Sequence, residues 1–79
     1  MQYVTYIIYS ETIEKYYVGY TGDFNKRLEE HNRGKSKYTC RGIPWKEVKV
    51  FKLDSKQEAI RLENEIKKRG CKRFLEGLE

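Results

Sequence analysis

Five side chains have the types and spacing to work on a phosphate ester: Tyr6, Tyr17, Arg27, His31 and Glu63. A guanidinium grips phosphate oxygens through paired N–H bonds, most strongly as negative charge builds on them. An imidazole one helical turn away can contact the phosphate or transfer a proton. A carboxylate can hold a hard divalent ion, and one is enough for Mg²⁺, which keeps several waters and takes oxygens from a substrate phosphate. A tyrosine serves as general base only when neighbouring cations bring its pKa well below about 10.

Each residue also has an ordinary reading. Arg27 can snorkel past Phe24 and Leu28. His31 can be a core histidine satisfied by a backbone carbonyl. Seven tyrosines in one small chain are mostly packing residues. Glu63 can be partly exposed, or paired with Arg27 or Lys67 for structure. Gly19, next to the second tyrosine pair, either lets a ligand approach the backbone or relieves crowding in a sheet. The chemical reading therefore depends on whether these groups converge.

The elements that must bring them together are short and local. Tyr3 to Tyr9 is rich in aromatic and β-branched residues and reads as a strand, Ser10 to Lys15 as a hairpin loop, and Tyr16 to Tyr20 as a second, antiparallel strand. With Tyr9 near Tyr16, Ile8 opposes Tyr17 and Tyr6 opposes Gly19. Tyr6, Tyr17 and Gly19 then share a face, which a slip of one residue would undo. Asp23 is an N-cap and Gly34 a C′ residue for a helix on which Phe24, Arg27, Leu28 and His31 form one stripe. Arg27 and His31 thus belong to the inward face.

Pro44-Trp45 introduces a third strand, Lys46 to Leu53, with Val48 and Val50 on one side and Phe51 and Leu53 on the other. Ser55 with Glu58 forms a capping box for a second helix. Its apolar arc of Ala59, Ile60, Leu62 and Ile66 contains Glu63, an expensive place for an unpaired carboxylate. Gly70 ends this helix. Cys71 to Leu78 reads as a third, with Phe74, Leu75 and Leu78 as its apolar side. The expected class is α+β: a three-stranded antiparallel sheet flanked by helices in the order β-β-α-β-α-α.

The chain has 79 residues and a net charge of +5, so one domain spanning 1–79 and a polyanionic partner are expected. The loop Arg33 to Gly42 mixes basic residues with one aromatic. Lys35, Lys37 and Arg41 suit phosphates there and Tyr38 suits stacking on a base or sugar, unless the loop is only a solvated one. Lys67, Lys68, Arg69, Lys72 and Arg73 make a second basic cluster. Cys40 and Cys71 form no CxxC pair and there is one histidine, which argues against a four-ligand zinc site. Two separate cysteines without a signal peptide fit a reducing cytoplasm, and no apolar run is long enough to span a membrane.

With these positions assembled, the chain resembles the GIY-YIG endonuclease superfamily, above all compact domains like the N-terminal nuclease of the bacterial excision-repair subunit UvrC. Val4-Thr5-Tyr6 stands where the first motif would be and Tyr17-Val18-Gly19 where the second would be. Arg27 follows at the family's spacing with His31 one turn later, and Glu63 matches the metal-binding glutamate. GIPWKEV resembles the loop and strand start of the short members. The resemblance implies hydrolysis of DNA phosphodiesters with Mg²⁺ or Mn²⁺, in a setting such as repair or recombination. It implies that Glu63 holds the metal, that Arg27 neutralises the pentacovalent transition state, and that Tyr6 or Tyr17 deprotonates water while the other orients water or phosphate. His31 would assist positioning or proton transfer. The asparagine that some members carry late in the domain has no counterpart between Lys67 and Glu79. Substrate choice would fall to this module or to a protein partner. The rival readings are a DNA- or RNA-gripping module that does not cut, and an interaction domain that recruits a partner through its basic face.

Overall fold

A computed structural model describes residues 2–78. The elements are β1 (Tyr3–Ser10), β2 (Lys15–Thr21), α1 (Phe24–Asn32), a single 3₁₀ turn (Cys40–Gly42), β3 (Trp45–Leu53), α2 (Lys56–Arg69) and α3 (Cys71–Glu76). The strands form one antiparallel sheet in the order β2-β1-β3. This is the expected class and element order.

β1 is the central strand, and its alternation assigns the two faces. Tyr6 and Ile8 pack with Trp45, Tyr17, Val50 and the α1 residues Phe24 and Leu28. Ile7, with Val18, packs against Ile66 of α2 and Phe74 of α3. On this second face the Thr5 hydroxyl donates to the Ala59 carbonyl at 2.7 Å, which ties α2 to the sheet. Because β1 is covered on both sides, Thr5, Tyr6, Ile7 and Ile8 are all buried.

The β1–β2 register pairs Tyr9 with Tyr16, Ile8 with Tyr17 and Tyr6 with Gly19, as the hairpin pattern predicts. The β1–β3 register departs from simple alternation. Ile7 pairs with Lys49 but Ile8 pairs with Glu47, which leaves Val48 as an extra residue in a bulge. Val48 therefore does not share a side with Val50, contrary to the period-two expectation: it is exposed, whereas Val50 joins the Tyr6 cluster.

Both long helices end as their sequences imply. Asp23 caps α1 by accepting from the Lys26 N–H, and Ser55 caps α2 by accepting from the Glu58 N–H. At the far end of α1, Gly34 has φ +78°, with Gly34 N–H donating to the His31 carbonyl and Lys35 N–H to that of Glu30. This is a Schellman arrangement, and it sends the following loop back toward the sheet. Gly70, at φ +89°, closes α2 and opens α3. α3 is shorter than expected. Gly77 caps it, so Leu78 lies beyond the helix and is exposed rather than on its apolar side. The two cysteines are free.

Candidate active site

The hairpin register places Tyr6 and Tyr17 side by side on the α1 face, with ring centroids 6.4 Å apart. Between them, Gly19 leaves the space that Tyr6 occupies. A Cβ at position 19 would lie 2.6 Å from the Tyr6 hydroxyl and 3.2 Å from the Tyr17 ring. Of the two roles open to this glycine, the geometry fits relief of crowding around a phenol.

Arg27 rises from α1 beside these rings. Its side chain is 41% exposed and makes an i,i+3 ion pair with Glu30 at 3.5 Å. The Tyr6 hydroxyl is the chief group that raises the guanidinium pKa, so Arg27 carries its charge firmly. Burial in turn pushes the Tyr6 phenol up to about 12, against the opposing pull of Arg27. Glu63 reaches the same place from α2 with its side chain 13% exposed, and Lys67 stands at a loose 3.8 Å from its carboxylate.

These groups line one open cavity of about 270 Å³, bounded by Tyr6, Tyr17, Gly19, Tyr20, Arg27 and Glu63. β1, β2, α1 and α2 each contribute to it. Four of the five predicted chemical residues thus meet at one surface. The fifth, His31, stands behind them. It is fully buried, with Nε2 hydrogen-bonded to the Tyr6 hydroxyl at 2.9 Å and Nδ1 to the Thr39 hydroxyl at 2.7 Å. Its ring also meets the Tyr17 ring edge-on at 5.1 Å. Burial, followed by the charge of Arg27, lowers the His31 pKa, so the imidazole is neutral near pH 7. His31 meets the cavity wall through its bond to Tyr6 and does not itself line the cavity.

Two further depressions continue from the cavity along α1. The first shares Tyr20 and Arg27 and runs through Lys26 and Glu30. The next shares Lys26 and Glu30 and ends at Arg33 and Lys35. Of the predicted loop contacts, Lys35 lies on this track. Lys37, Tyr38 and Arg41 are exposed on the following segment, Tyr38 at 87%, and line neither the cavity nor its extension. Of the second basic cluster, Lys68, Arg69 and Arg73 line a wider depression with Glu65, apart from the five chemical residues.

Sequence reasoning missed Thr39 and Asn32. Thr39 is fully buried, and its carbonyl accepts the Trp45 indole N–H at 2.7 Å. The Asn32 amide brackets the Trp45 backbone, accepting from its N–H at 2.6 Å and donating to its carbonyl at 3.2 Å. The available signal was the inward phase of His31, since a buried imidazole needs a partner for each nitrogen.

The pattern of the GIY-YIG catalytic domain matches residues 2–74 of this chain. The chain belongs to the GIY-YIG family. The solution structure of the UPF0213 protein BH0048 from Bacillus halodurans superposes with a TM-score of 0.61 at 34% identity, covering 100% of this chain and 86% of that one. The UPF0213 protein BH0048 of Halalkalibacterium halodurans is 42% identical over 53 residues, which make up 66% of this chain and 56% of that protein. The UPF0213 protein YsiG of Lactococcus lactis is 41% identical over 63 residues, 78% of this chain and 60% of that protein. The matches thus span little more than half the length of these curated relatives. Family membership supports a nuclease-like function for this domain. Among the described residues, no helix is long and apolar enough to cross a membrane.

Proposed function

We propose that this GIY-YIG domain is a metal-dependent endonuclease that hydrolyses DNA phosphodiester bonds. The observation that carries this reading is the single cavity to which Tyr6, Tyr17, Arg27 and Glu63 contribute from four different elements. A core residue has no reason to keep a carboxylate, a guanidinium and two phenols at one opening.

Among the described residues, no cluster of three or more His, Cys, Asp or Glu could cage a metal. One carboxylate at an open cavity instead fits an ion that draws its remaining ligands from water and phosphate, as Mg²⁺ or Mn²⁺ does. Glu63 would hold it, and the bound ion would supply positive charge against the scissile phosphate. Arg27, charged and half exposed, grips the phosphoryl oxygens and balances the charge that grows on them. Tyr6 is the proton acceptor, because it has a guanidinium beside it and an imidazole behind it. As a phenol pushed up to about 12, it is weak in this role until the cations of the site favour its phenolate. Tyr17 orients water or phosphate. The depressions along α1 carry Lys26, Arg33 and Lys35 and supply a track for the DNA backbone, with Lys37, Tyr38 and Arg41 beyond it. The domain works as one unit in the cytoplasm, in repair or recombination, with strand choice left to this surface or to a protein partner.

The test is incubation with nicked, branched and supercoiled DNA and Mg²⁺ or Mn²⁺, alongside Arg27→Ala and Glu63→Gln. Cleavage by the wild type that disappears in both variants, while DNA binding survives, is the expected result. Equal cleavage by all three proteins would overturn the site. Salt-sensitive binding without cleavage would instead support a gripping module, a reading favoured by Lys67 standing beside the Glu63 carboxylate.

A further inference from the structure

A neutral imidazole donates from one nitrogen and accepts at the other, so the run Tyr6–His31–Thr39 has a direction. Either Tyr6 donates to His31 and His31 to Thr39, or the order is reversed. The hydroxyl at the buried end decides between them. Thr39 is fully buried, and among the described residues His31 Nδ1 is the one hydrogen-bond partner of its hydroxyl. If Thr39 accepted from an Nδ1–H, its own hydrogen would be buried with no acceptor, and its desolvation would go unrepaid. Tyr6 is almost wholly buried too, but it lines the open cavity, where its hydrogen can find water or substrate as an acceptor. Arg27, which has donors and no acceptor, can address only the lone pairs of the Tyr6 oxygen.

We propose that Thr39 is a positioning residue of the site, donating to His31 Nδ1 and thereby holding His31 as the Nε2–H tautomer, with that N–H aimed at the Tyr6 oxygen. The Tyr6 oxygen then accepts from His31 with the Arg27 guanidinium charge near it, and its own hydrogen is left for the cavity. Loss of that hydrogen leaves a phenolate with the His31 N–H already aimed at it and a guanidinium charge near it. His31 supports the negative charge without taking a proton. The Thr39 backbone is itself held: its carbonyl accepts from the Trp45 indole and from the Gly42 N–H, which keeps the hydroxyl in place against the imidazole. This role deepens the nuclease reading and rests on it for its catalytic part, but the tautomer can be measured without any cleavage.

His31 is the only histidine in the chain, so ¹⁵N-labelled protein gives one unambiguous set of imidazole signals. A long-range ¹H–¹⁵N correlation spectrum near neutral pH is expected to show a protonated Nε2 and an unprotonated Nδ1. Thr39→Ser keeps that pattern, and Thr39→Val, which preserves shape but removes the hydroxyl, shifts or mixes it. A wild-type spectrum with the proton on Nδ1 overturns the proposal whatever the variants do. A Thr39→Val spectrum identical to wild type also overturns it. In the cleavage assay, Thr39→Val lowers kcat about tenfold or more with DNA affinity unchanged, and Thr39→Ser restores it. A changed tautomer with unchanged kcat would sink the catalytic role. A wild type that shows the Nε2–H tautomer yet never cuts would defeat the nuclease reading and leave the hydrogen-bond assignment standing.

Discussion

The Tyr6 hydroxyl and His31 Nε2 are 2.9 Å apart although 25 residues separate them in the chain, and both side chains are buried. β1 supplies one partner and α1 the other. The phenol facing the cavity is therefore backed by an imidazole that solvent does not reach, and the ionisation of each is set largely by burial.

The first consequence is alkaline. Folded Tyr6 keeps its proton to about 12, whereas an unfolded tyrosine releases it near 10. Its contribution to stability is therefore complete below about pH 10 and is lost as pH rises through about 12. Phenolate absorbance of wild type minus that of Tyr6→Phe should give a difference curve centred near the higher value. A curve centred near 10 would mean that the phenol is not desolvated as described.

The second is acidic. Burial, then the charge of Arg27, lowers the His31 pKa below its usual value of 6.5. Between that lowered value and 6.5 the unfolded chain binds a proton that the folded protein does not. Stability therefore rises with pH across this window and is lost as pH falls through it. Denaturation midpoints taken from about pH 8 down to about pH 5 should fall in the wild type, with a shallower slope in His31→Gln. The part of this window just below 6.5 lies above the ordinary carboxylate range, so Asp and Glu contribute little to the slope there.

Gly19→Ala tests the clearance around Tyr6. The added carbon would lie 2.6 Å from the hydroxyl oxygen and 2.9 Å from Cζ, so the phenol must move. We expect a loss of about 1–3 kcal/mol in stability from this overpacking. Cleavage should fall about a hundredfold, since a displacement on the scale of an ångström is enough to spoil alignment. Wild-type values in denaturation and cleavage assays would show that Tyr6 has room to adjust.

Asn32→Ala removes both bonds to the Trp45 backbone and leaves a nearly buried N–H without its partner. Chemical denaturation should report a loss of about 1–3 kcal/mol. Asn32→Asp keeps the acceptor and loses the donor, and should fall between. Equal stability of all three proteins would mean that β3 is held at its start by the Trp45 side chain alone.

DNA affinity should follow the track along α1. Lys26→Ala with Lys35→Ala is expected to flatten the dependence of log affinity on log salt by about 2, if each lysine neutralises one phosphate of duplex DNA. An unchanged slope would move the DNA off this surface.

What was legible in the sequence follows the range of the forces involved. The Tyr6–Gly19 pairing could be read because a short polar loop joins two aromatic, β-branched runs, so register follows from local spacing. Helical phase likewise turned Arg27, His31 and Glu63 inward, and three of the five chemical groups were placed by that periodicity alone. The bulge at Val48 was not legible, because it depends on how β3 meets a strand about 40 residues earlier. Thr39 escaped notice for a similar reason. It lies in a polar, basic stretch whose composition suggests solvent, and it is buried only because the Schellman turn and the Trp45 indole fold that stretch onto His31.

The bulge also shapes the outer rim of the sheet. Among the described residues no strand lies beyond β3, and a flat, apolar border there would be a template for any extended chain drifting past. The extra residue at Val48 puts a kink in that border, and the exposed Lys46, Lys49 and Lys52 add like charge along it. The sheet ends at β3 because its last strand offers a newcomer neither a straight ladder nor a neutral one.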